Sequence, residues 1–336
     1  MRLPAERIII PVVLIVMISL ITAVSAGGQT HTRLAFKKPL MGTEVSIVLY
    51  AADSVAATEA VESAFARITE LNNYLSDYLT ESELSRLSNT YDQPVQINDD
   101  LWQVLYTAQE IAHASKGAFD VTAGPLTLLW RRAMRRTILP DSTDLSEAMT
   151  AVGYEFLQLD ADRQTARLQK RNMRLDLGGI AKGYAADQAL EVLAREGFSS
   201  AAVDAGGDIS LGEAPPDSDG WSIKVFSGES ETGEMILKNC GIAVSGDSYR
   251  HLDYHGVRYS HILDPETGYG VTHERKVAVI APSAMVADAW ASAYSVMDWR
   301  AIPLSIQERD GLSIRIVKPD GTGPRELKTG KFRDSE

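Results

Sequence analysis

The stretch DLGGIAKG, residues 176–183, decides how this chain of 336 residues is interpreted. It lies between a strand-like run and an amphipathic segment, residues 181–195, that has the period of a helix. Its three glycines leave the backbone open to a ligand, and the start of the following helix presents unpaired N–H groups. Lys182 adds a positive charge and Asp176 a carboxylate. The stretch predicts a turn that binds a phosphate group, and the alternative is a tight strand-to-helix connection that binds nothing.

Outward from this turn, helical and strand-like patterns mix without a regular βαβ repeat. Helices are predicted over residues 55–75, 99–115, 181–195 and 286–296. Strands are predicted within residues 34–51, in a hairpin over 156–169, and over 221–226, 235–244, 276–280 and 312–317. This order predicts an α+β fold with mixed or antiparallel sheets and packed helices, rather than a doubly wound parallel sheet.

The first 26 residues predict export of the protein. Arg2 and Arg7 precede or open an apolar run over residues 8–26, which ends in Val24-Ser-Ala26, with small residues where a signal peptidase would cut. About 20 apolar residues also suffice to span a bilayer, so a cleaved signal peptide and a retained membrane anchor both remain open. We expect a protein that is periplasmic or anchored to the outer face of the inner membrane.

Charge and cysteine content narrow the function classes. The formal net charge of −12 disfavours nucleic acid and anionic membrane surfaces as partners. An anionic ligand therefore needs local positive charge, for which a metal ion is the obvious source. Cys240, the single cysteine, cannot form an intramolecular disulfide and is predicted to be a small buried hydrophobic residue. The basic run at residues 131–136 is either a solvated helix face or a docking patch for an acidic partner protein.

Two further segments carry candidate chemistry. Asp288 and Ser292 lie four residues apart in a predicted helix, so both project from one face and could bind a hard divalent cation such as Mg²⁺. Taken alone, such a pair is more often a polar face in contact with water. The segment HILDPETGY, residues 261–269, holds the imidazole of His261 beside a Pro- and Gly-containing turn. That histidine is either a general base or a structural residue bound to a backbone carbonyl.

The order of several short motifs carries a family resemblance. Together with the glycine-rich turn they are MGT at 41–43, GAFDVT at 117–122, DAGGD at 204–208, SGD at 245–247, HILDPETGY at 261–269 and VADAWAS at 286–292. In this order the chain resembles the ApbE family of FAD:protein FMN transferases, from about residue 35 to about residue 320. The resemblance implies a T-fold-like α+β architecture with a single catalytic domain over residues 30–336.

The resemblance also implies a set of site residues. Mg²⁺ would be bound by Asp288, Ser292 and the backbone carbonyl of Gly179, with Ser292 standing where the family more usually has threonine. The implied contacts to FAD are Met41, Tyr78, Ala118, Phe119, Asp120, Asp176, Lys182, His261 and Ile262. The candidates for orienting or deprotonating the acceptor hydroxyl are Asp176, His261 and Asp264.

The implied activity is Mg²⁺-dependent splitting of FAD, with FMN attached through a phosphoester bond to a Thr or Ser of an acceptor flavoprotein and AMP released. The expected acceptor is a subunit of a membrane redox complex or a periplasmic FMN-binding domain. An FAD pyrophosphatase and a flavin-binding protein without turnover remain alternatives. A nicotinamide dehydrogenase is disfavoured, because the turn is not G-x-G-x-x-G and no Rossmann repeat surrounds it.

Overall fold

The computed structural model describes residues 31–226, 234–246, 251–302, 311–318 and 325–332. The predicted signal or anchor segment, residues 1–26, lies outside these ranges, as does Asp247 of the SGD motif. The helices are α1 Ser54–Leu75, α2 Glu83–Ser88, α3 Asp99–Ser115, α4 Gly124–Arg136, α5 Ser142–Met149, α6 Ala181–Arg195 and α7 Ala284–Val296. The strands are β1 Thr32–Leu40, β2 Thr43–Ala51, β3 Val95–Gln96, β4 Leu157–Asp160, β5 Thr165–Leu168, β6 Ala201–Ala205, β7 Asp208–Leu211, β8 Trp221–Ile223, β9 Met235–Leu237, β10 Cys240–Gly246, β11 His251–Tyr254, β12 Val257–Ser260, β13 Lys276–Ala281, β14 Ser313–Lys318 and β15 Arg325–Lys328.

A large antiparallel sheet organises the molecule. Its eight strands run in the order β1-β2-β6-β7-β10-β13-β14-β15, and each neighbouring pair is antiparallel. Met41 and Gly42 form the loop between β1 and β2, with φ angles of 50° and 74°, as a tight hairpin turn with two positive φ values requires. The predicted α+β class with antiparallel sheets is confirmed.

Helices α1, α6 and α7 cover one face of this sheet and form the main core with it. The predicted apolar face of α1 is fully buried there, at Val61, Phe65, Ile68, Leu71 and Leu75. The inward residues of β2 alternate with half-exposed ones, as a strand with one buried face requires.

The first turns of α6 and α7 approach each other closely. A Cβ atom on Gly183 would lie 2.3 Å from the carbonyl oxygen of Ala284. The expectation that Gly183 leaves room for a ligand is therefore wrong: its missing side chain allows the two helices to touch. Asp187 joins the same helices, because its carboxylate accepts from the N–H groups of Ala284 and Met285 at 2.9 Å each.

A second group of elements lies beside the main core. Helices α4 and α5 pack together, and Trp130 of α4 donates from Nε1 to the carbonyl oxygen of Gly268 at 2.8 Å. This bond fixes the loop that carries the HILDPETGY motif to α4. A small sheet, in the order β3-β5-β4, contains the predicted hairpin over residues 156–169.

One predicted strand is two strands. The run over residues 235–244 breaks at Asn239, where φ is 49°, so β9 pairs with β8 while β10 enters the large sheet. The strand predicted over residues 221–226 ends at Ile223. Among the described residues, no helix has the length and apolar character to cross a bilayer.

Candidate active site

The turn at residues 176–183 leads into α6, whose first N–H groups are not all bonded to backbone carbonyls. The carboxylate of Asp176 accepts from the N–H of Gly178 at 2.8 Å, which closes the turn. Helix α6 begins without a side-chain cap. In the described part of the chain, no backbone carbonyl accepts from the N–H groups of Lys182 and Gly183. Such a helix start can bind an anionic group.

Lys182 extends from α6 into a pair of buried carboxylates. Its Nζ contacts Oδ2 of Asp208, at the start of β7, and lies 3.4 Å from Oδ2 of Asp288 in α7. Asp208 and Asp288 are only 4% and 6% exposed. When both carboxyls are ionised, one ammonium against them leaves one negative charge in excess. From the sequence, Lys182 was predicted to bind a phosphate and Asp208 was given no role. The three residues lie in α6, β7 and α7, and no spacing in the sequence links these elements.

The two carboxyls of this cluster have pKa values above the ordinary value of an aspartate. Burial raises the pKa of Asp288, although Lys182 and the N–H of Gly183 act in the opposite direction. Burial and repulsion by Asp288 raise the pKa of Asp208 to about 8. For Lys182, burial lowers the pKa, but the two carboxylates outweigh burial and raise the pKa above its ordinary value. With a pKa of about 8, Asp208 keeps its proton at neutral pH, and a divalent cation bound at Asp288 would favour the loss of that proton.

Gly179 and Ser292 are neighbours near Asp288, and each has an oxygen without a hydrogen-bond partner among the described residues. Ser292 lies one helical turn after Asp288, and a Cβ atom on Gly179 would be 2.8 Å from Ser292 Oγ. The Ser292 hydroxyl makes no hydrogen bond to a described residue, whereas Ser295 in the same helix donates to the carbonyl of Ala291 at 2.8 Å. No N–H group of the described residues donates to the carbonyl of Gly179. The three predicted metal ligands are therefore neighbours, and two of them have no other partner in this part of the chain.

This donor set fits a hard divalent cation. Carboxylate, hydroxyl and carbonyl oxygens are ligands that Mg²⁺ accepts, with waters and phosphate oxygens completing its shell. The described residues contain no group of three or more His, Cys, Asp or Glu side chains that could hold a metal ion. A metal ion bound here would accordingly rely on the mixed set of Asp288, Ser292 and Gly179.

Phe119 lies beside Gly179 of the glycine-rich turn. One edge of its ring would be 3.3 Å from a Cβ atom on Gly179, so the ring packs against the glycine-rich turn. Ala118, beside it, is half-buried. Asp120 accepts from both the N–H and the hydroxyl of Thr122, at 2.7 Å each, and burial raises the pKa of Asp120 to about 6. This carboxylate therefore also supports the backbone that positions Phe119.

Arg131 connects the glycine-rich turn to a second aspartate. Its guanidinium donates to Asp77 at 2.5 Å and to Asp176 at 3.2 Å, and it lies 4.1 Å from the ring centroid of Tyr78. Burial and the charge of Asp176 raise the pKa of Asp77. The basic run at residues 131–136 was predicted to be a solvated face or a docking patch, but Arg131 is half-buried and paired with two carboxylates, so neither interpretation holds for this residue. One indication of a structural role for Arg131 was present in the sequence, its position next to Trp130, and the structure shows that Trp130 is buried.

The loop after β12 holds the remaining predicted residues. Asp264 accepts from the N–H of Glu266 at 2.9 Å and from the hydroxyl of Thr267 at 3.0 Å, so both of its oxygens stabilise their own turn. His261 is exposed at the start of this loop, and the N–H of Ile262 donates to Ser260. Through Trp130 and Arg131, α4 contacts both this loop and the glycine-rich turn.

The remaining motifs meet at one end of the large sheet. Met41 lies at the tip of the hairpin between β1 and β2, and Tyr78 is exposed under the guanidinium of Arg131. A Cβ atom on Gly206 would lie 2.3 Å from the hydroxyl oxygen of Thr43, so the MGT and DAGGD motifs are in contact. The catalytic and ligand-binding roles of all these residues stay predictions.

Comparison with known proteins identifies the relatives of this chain. Residues 41–316 match the model of the ApbE family. The FAD:protein FMN transferase of Haemophilus influenzae is 30% identical over 307 residues, which cover 87% of this chain and 88% of the relative. The solved flavin transferase ApbE of Vibrio cholerae superposes with a TM-score of 0.79 at 27% identity, covering 90% of this chain and 98% of that one. The flavinyl transferase ApbE of Pseudomonas stutzeri gives 0.79 at 26% identity, with 90% and 96% coverage.

Proposed function

Because the chain belongs to the ApbE family and is a flavin transferase, we propose that it splits FAD with the help of Mg²⁺ and attaches FMN to an acceptor flavoprotein. The bond formed is a phosphoester to a Thr or Ser hydroxyl, and AMP is released. The observation that carries the Mg²⁺ requirement is the pair of unused oxygens, on Ser292 and Gly179, beside the buried carboxylate of Asp288.

In this proposal the helix start and the metal ligands bind the diphosphate of FAD. Asp288, Ser292 and the Gly179 carbonyl hold Mg²⁺, which neutralises charge on the phosphates when bound. The N–H group of Lys182, which no backbone carbonyl of the described residues accepts, is a donor for a phosphate oxygen. The Lys182 ammonium pairs with Asp208 and Asp288, which reduces the repulsion between these carboxyls and an anion.

The acceptor hydroxyl attacks the phosphorus on the FMN side of the diphosphate. Its oxygen forms the new P–O bond, the bond to the bridging oxygen breaks, and AMP leaves with that oxygen. The hydroxyl proton passes to Asp176 or to His261. Asp176 is favoured by the two groups that orient its carboxylate, Arg131 and the Gly178 N–H. Asp264 is the weaker candidate, because it lies in the loop after β12, whereas Asp176 belongs to the same turn as Gly179.

The flavin and adenine of FAD are assigned to the surfaces around this centre. Phe119 is supported as a flavin contact by its packing against Gly179. The further contacts we assign to FAD are Met41, Tyr78, Ala118, Asp120, His261 and Ile262.

The acceptor and the compartment follow from sequence features. The basic, apolar and small-residue segments of residues 1–26 support export, with the protein periplasmic or anchored to the outer face of the inner membrane. An acceptor in that compartment would be a subunit of a membrane redox complex or a periplasmic FMN-binding domain. The same acidic net charge of −12 supports a protein acceptor over nucleic acid.

The test is to incubate the purified protein with FAD, Mg²⁺ and candidate acceptor flavoproteins, and to measure FMN adducts by mass spectrometry and AMP by chromatography. Adduct and AMP in equal amounts are expected. Release of FMN and AMP without an adduct, in the presence of acceptors that a related transferase modifies, would identify an FAD pyrophosphatase. Tight FAD binding without AMP release, unchanged by a chelator, would identify a flavin-binding protein without turnover.

A further inference from the structure

A groove next to the candidate site is lined by more basic than acidic side chains. Its walls are α4, α5, residues 88–91 after α2, and the turn at residues 170–174, and its volume is about 580 Å³. The basic side chains that line it are Arg132, Lys170, Arg171 and Arg174, against the acidic Asp144 and Glu147. In a protein with a net charge of −12, this surface carries the opposite sign.

The charge of the groove is not neutralised from within. In the described part of the chain, Arg132, Lys170 and Arg171 form no ion pair with a carboxylate. The Arg171 guanidinium lies 4.6 Å from the ring centroid of Tyr91, and the Lys170 ammonium lies 3.4 Å from that of Phe156. Contacts with aromatic rings hold these cations in place without cancelling their charge.

The groove also offers apolar surface. Leu128 is 40% exposed on α4, and Tyr91 is 45% exposed on the opposite wall. Large exposed apolar side chains next to arginines are typical of surfaces that bind a polypeptide. A small inorganic anion would make no use of the apolar part.

Arg174 connects the groove to the proposed reaction centre. It lines the groove, and its Nη2 donates to the carbonyl of Asp77 at 2.7 Å. Asp77 pairs with Arg131, which contacts Asp176. Since Arg174 precedes Asp176 by two residues, the end of the groove is roughly 7 Å from Asp176 along an extended backbone. A polypeptide in the groove would reach Asp176 within a few of its own residues.

We propose that this groove binds an acidic segment of the acceptor flavoprotein close in sequence to the hydroxyl that receives FMN. The inference rests on the proposed function and adds the chemistry of the partner to it. Carboxylates of the acceptor pair with Arg132, Lys170 and Arg171, and an apolar side chain packs on Leu128 and Tyr91. Binding here brings the acceptor hydroxyl to Asp176.

The test is a double charge reversal, Arg132→Glu with Arg171→Glu, assayed with the flavoprotein that forms the FMN adduct. We expect the KM for this acceptor to rise about tenfold or more, with the Kd for FAD and the melting temperature unchanged. A control with the same charge change is Arg163→Glu with Arg195→Glu, since both side chains are highly exposed on other elements. A milder pair, Arg132→Gln with Arg171→Gln, gives a smaller rise if the reversal impairs folding.

Salt and a competitor provide independent readouts. Added NaCl should raise the KM of the parent protein more than that of the double variant, because screening acts on the charges that the variant lacks. An oligoglutamate peptide should compete with the acceptor and not with FAD. Equal KM values and equal salt dependence in parent and variant would overturn the docking groove, and a parallel rise in the Kd for FAD would assign the groove to FAD instead. If the parent transfers no FMN to any acceptor, the proposed function itself fails, and this inference with it.

Discussion

At the scale of single residues, Lys182 pairs with two buried carboxyls in addition to any phosphate that it binds. Because its ammonium contacts the buried Asp208 and Asp288, we expect Lys182→Met to lower the free energy of unfolding by on the order of 3 kcal/mol as well as to weaken FAD binding. The measurement is urea unfolding without and with Mg²⁺, and added Mg²⁺ should restore part of the loss. Lys182→Arg, which keeps the charge, is the control. A variant as stable as the parent would show that the two carboxyls are protonated in the folded protein.

Ser292 and Ser295 form a natural pair for testing the metal ligands. Ser292 has no hydrogen-bond partner among the described residues, whereas Ser295 donates to its own helix. We expect Ser292→Ala to raise the Mg²⁺ concentration needed for half-maximal AMP release by about tenfold, equivalent to about 1.4 kcal/mol. Ser292→Thr should be tolerated, and Ser295→Ala should leave the Mg²⁺ titration unchanged. If the Ser292→Ala titration coincides with that of the parent, the hydroxyl is not a ligand.

Asp120 predicts a pH dependence of stability. Burial raises its folded-state pKa to about 6 from an ordinary value of 3.8, so the folded protein binds more protons than the unfolded chain between these two values. Stability contributed by this group therefore falls as the pH rises from about 4 to about 6. Asp120→Asn keeps an acceptor for Thr122 and removes this dependence. The difference in unfolding free energy between parent and variant should change by on the order of 3 kcal/mol across the window, and a constant difference would contradict the prediction.

At the scale of elements, the contact between α6 and α7 sets the geometry of the metal ligands. Gly183→Ala would gain about 1 kcal/mol of helix propensity, yet its Cβ would lie 2.3 Å from the Ala284 carbonyl, which is backbone and cannot move aside cheaply. We expect a net destabilisation of about 2 kcal/mol, measured by urea unfolding, and weaker Mg²⁺ binding. Gly246→Ala, whose Cβ would have 3.5 Å to its nearest neighbour, is the control. A more stable Gly183→Ala protein would mean that the helices separate without cost.

Elements with strong local signals were the ones that the sequence predicted well. Helix α3 begins and ends at the predicted residues, because Asn98 caps its start and the chain turns left-handed at Lys116 before Gly117. The run over residues 235–244 was predicted as one strand, because apolar residues lie on both sides of the bend at Asn239. Which strands pair depends on contacts distant in sequence, and local patterns do not encode them.

At the scale of the whole molecule, the site divides into a part that motifs reveal and a part that only folding assembles. The proximity of Gly179 to Ser292 was predicted through the family resemblance, and the structure brings these residues together. The link from Arg131 to Asp77 and Asp176 was missed, because its members lie in three separate segments with no common spacing. Ion pairs of this kind depend on tertiary packing, so they cannot be predicted from composition or periodicity.

The acidic character of the whole protein leads to a prediction about ligand coupling. A chain with a net charge of −12 and two buried carboxyls against a single ammonium in its site should bind a diphosphate weakly unless a cation is bound. FAD should therefore raise the melting temperature strongly with Mg²⁺ present and little in a chelator. An FAD concentration of about one hundred times its Kd corresponds to about 2.7 kcal/mol of added stability.

The matched variant for this coupling is Asp288→Asn, which removes the charged metal ligand and keeps its shape. In that variant the thermal shift caused by FAD should no longer depend on Mg²⁺, because the ion is not held beside the diphosphate. The relevant comparison is among four melting curves, with and without Mg²⁺ and FAD, for parent and variant. Equal FAD-induced shifts in Mg²⁺ and in chelator for the parent would show that FAD binding is independent of the metal, and would favour a flavin-binding role over catalysis.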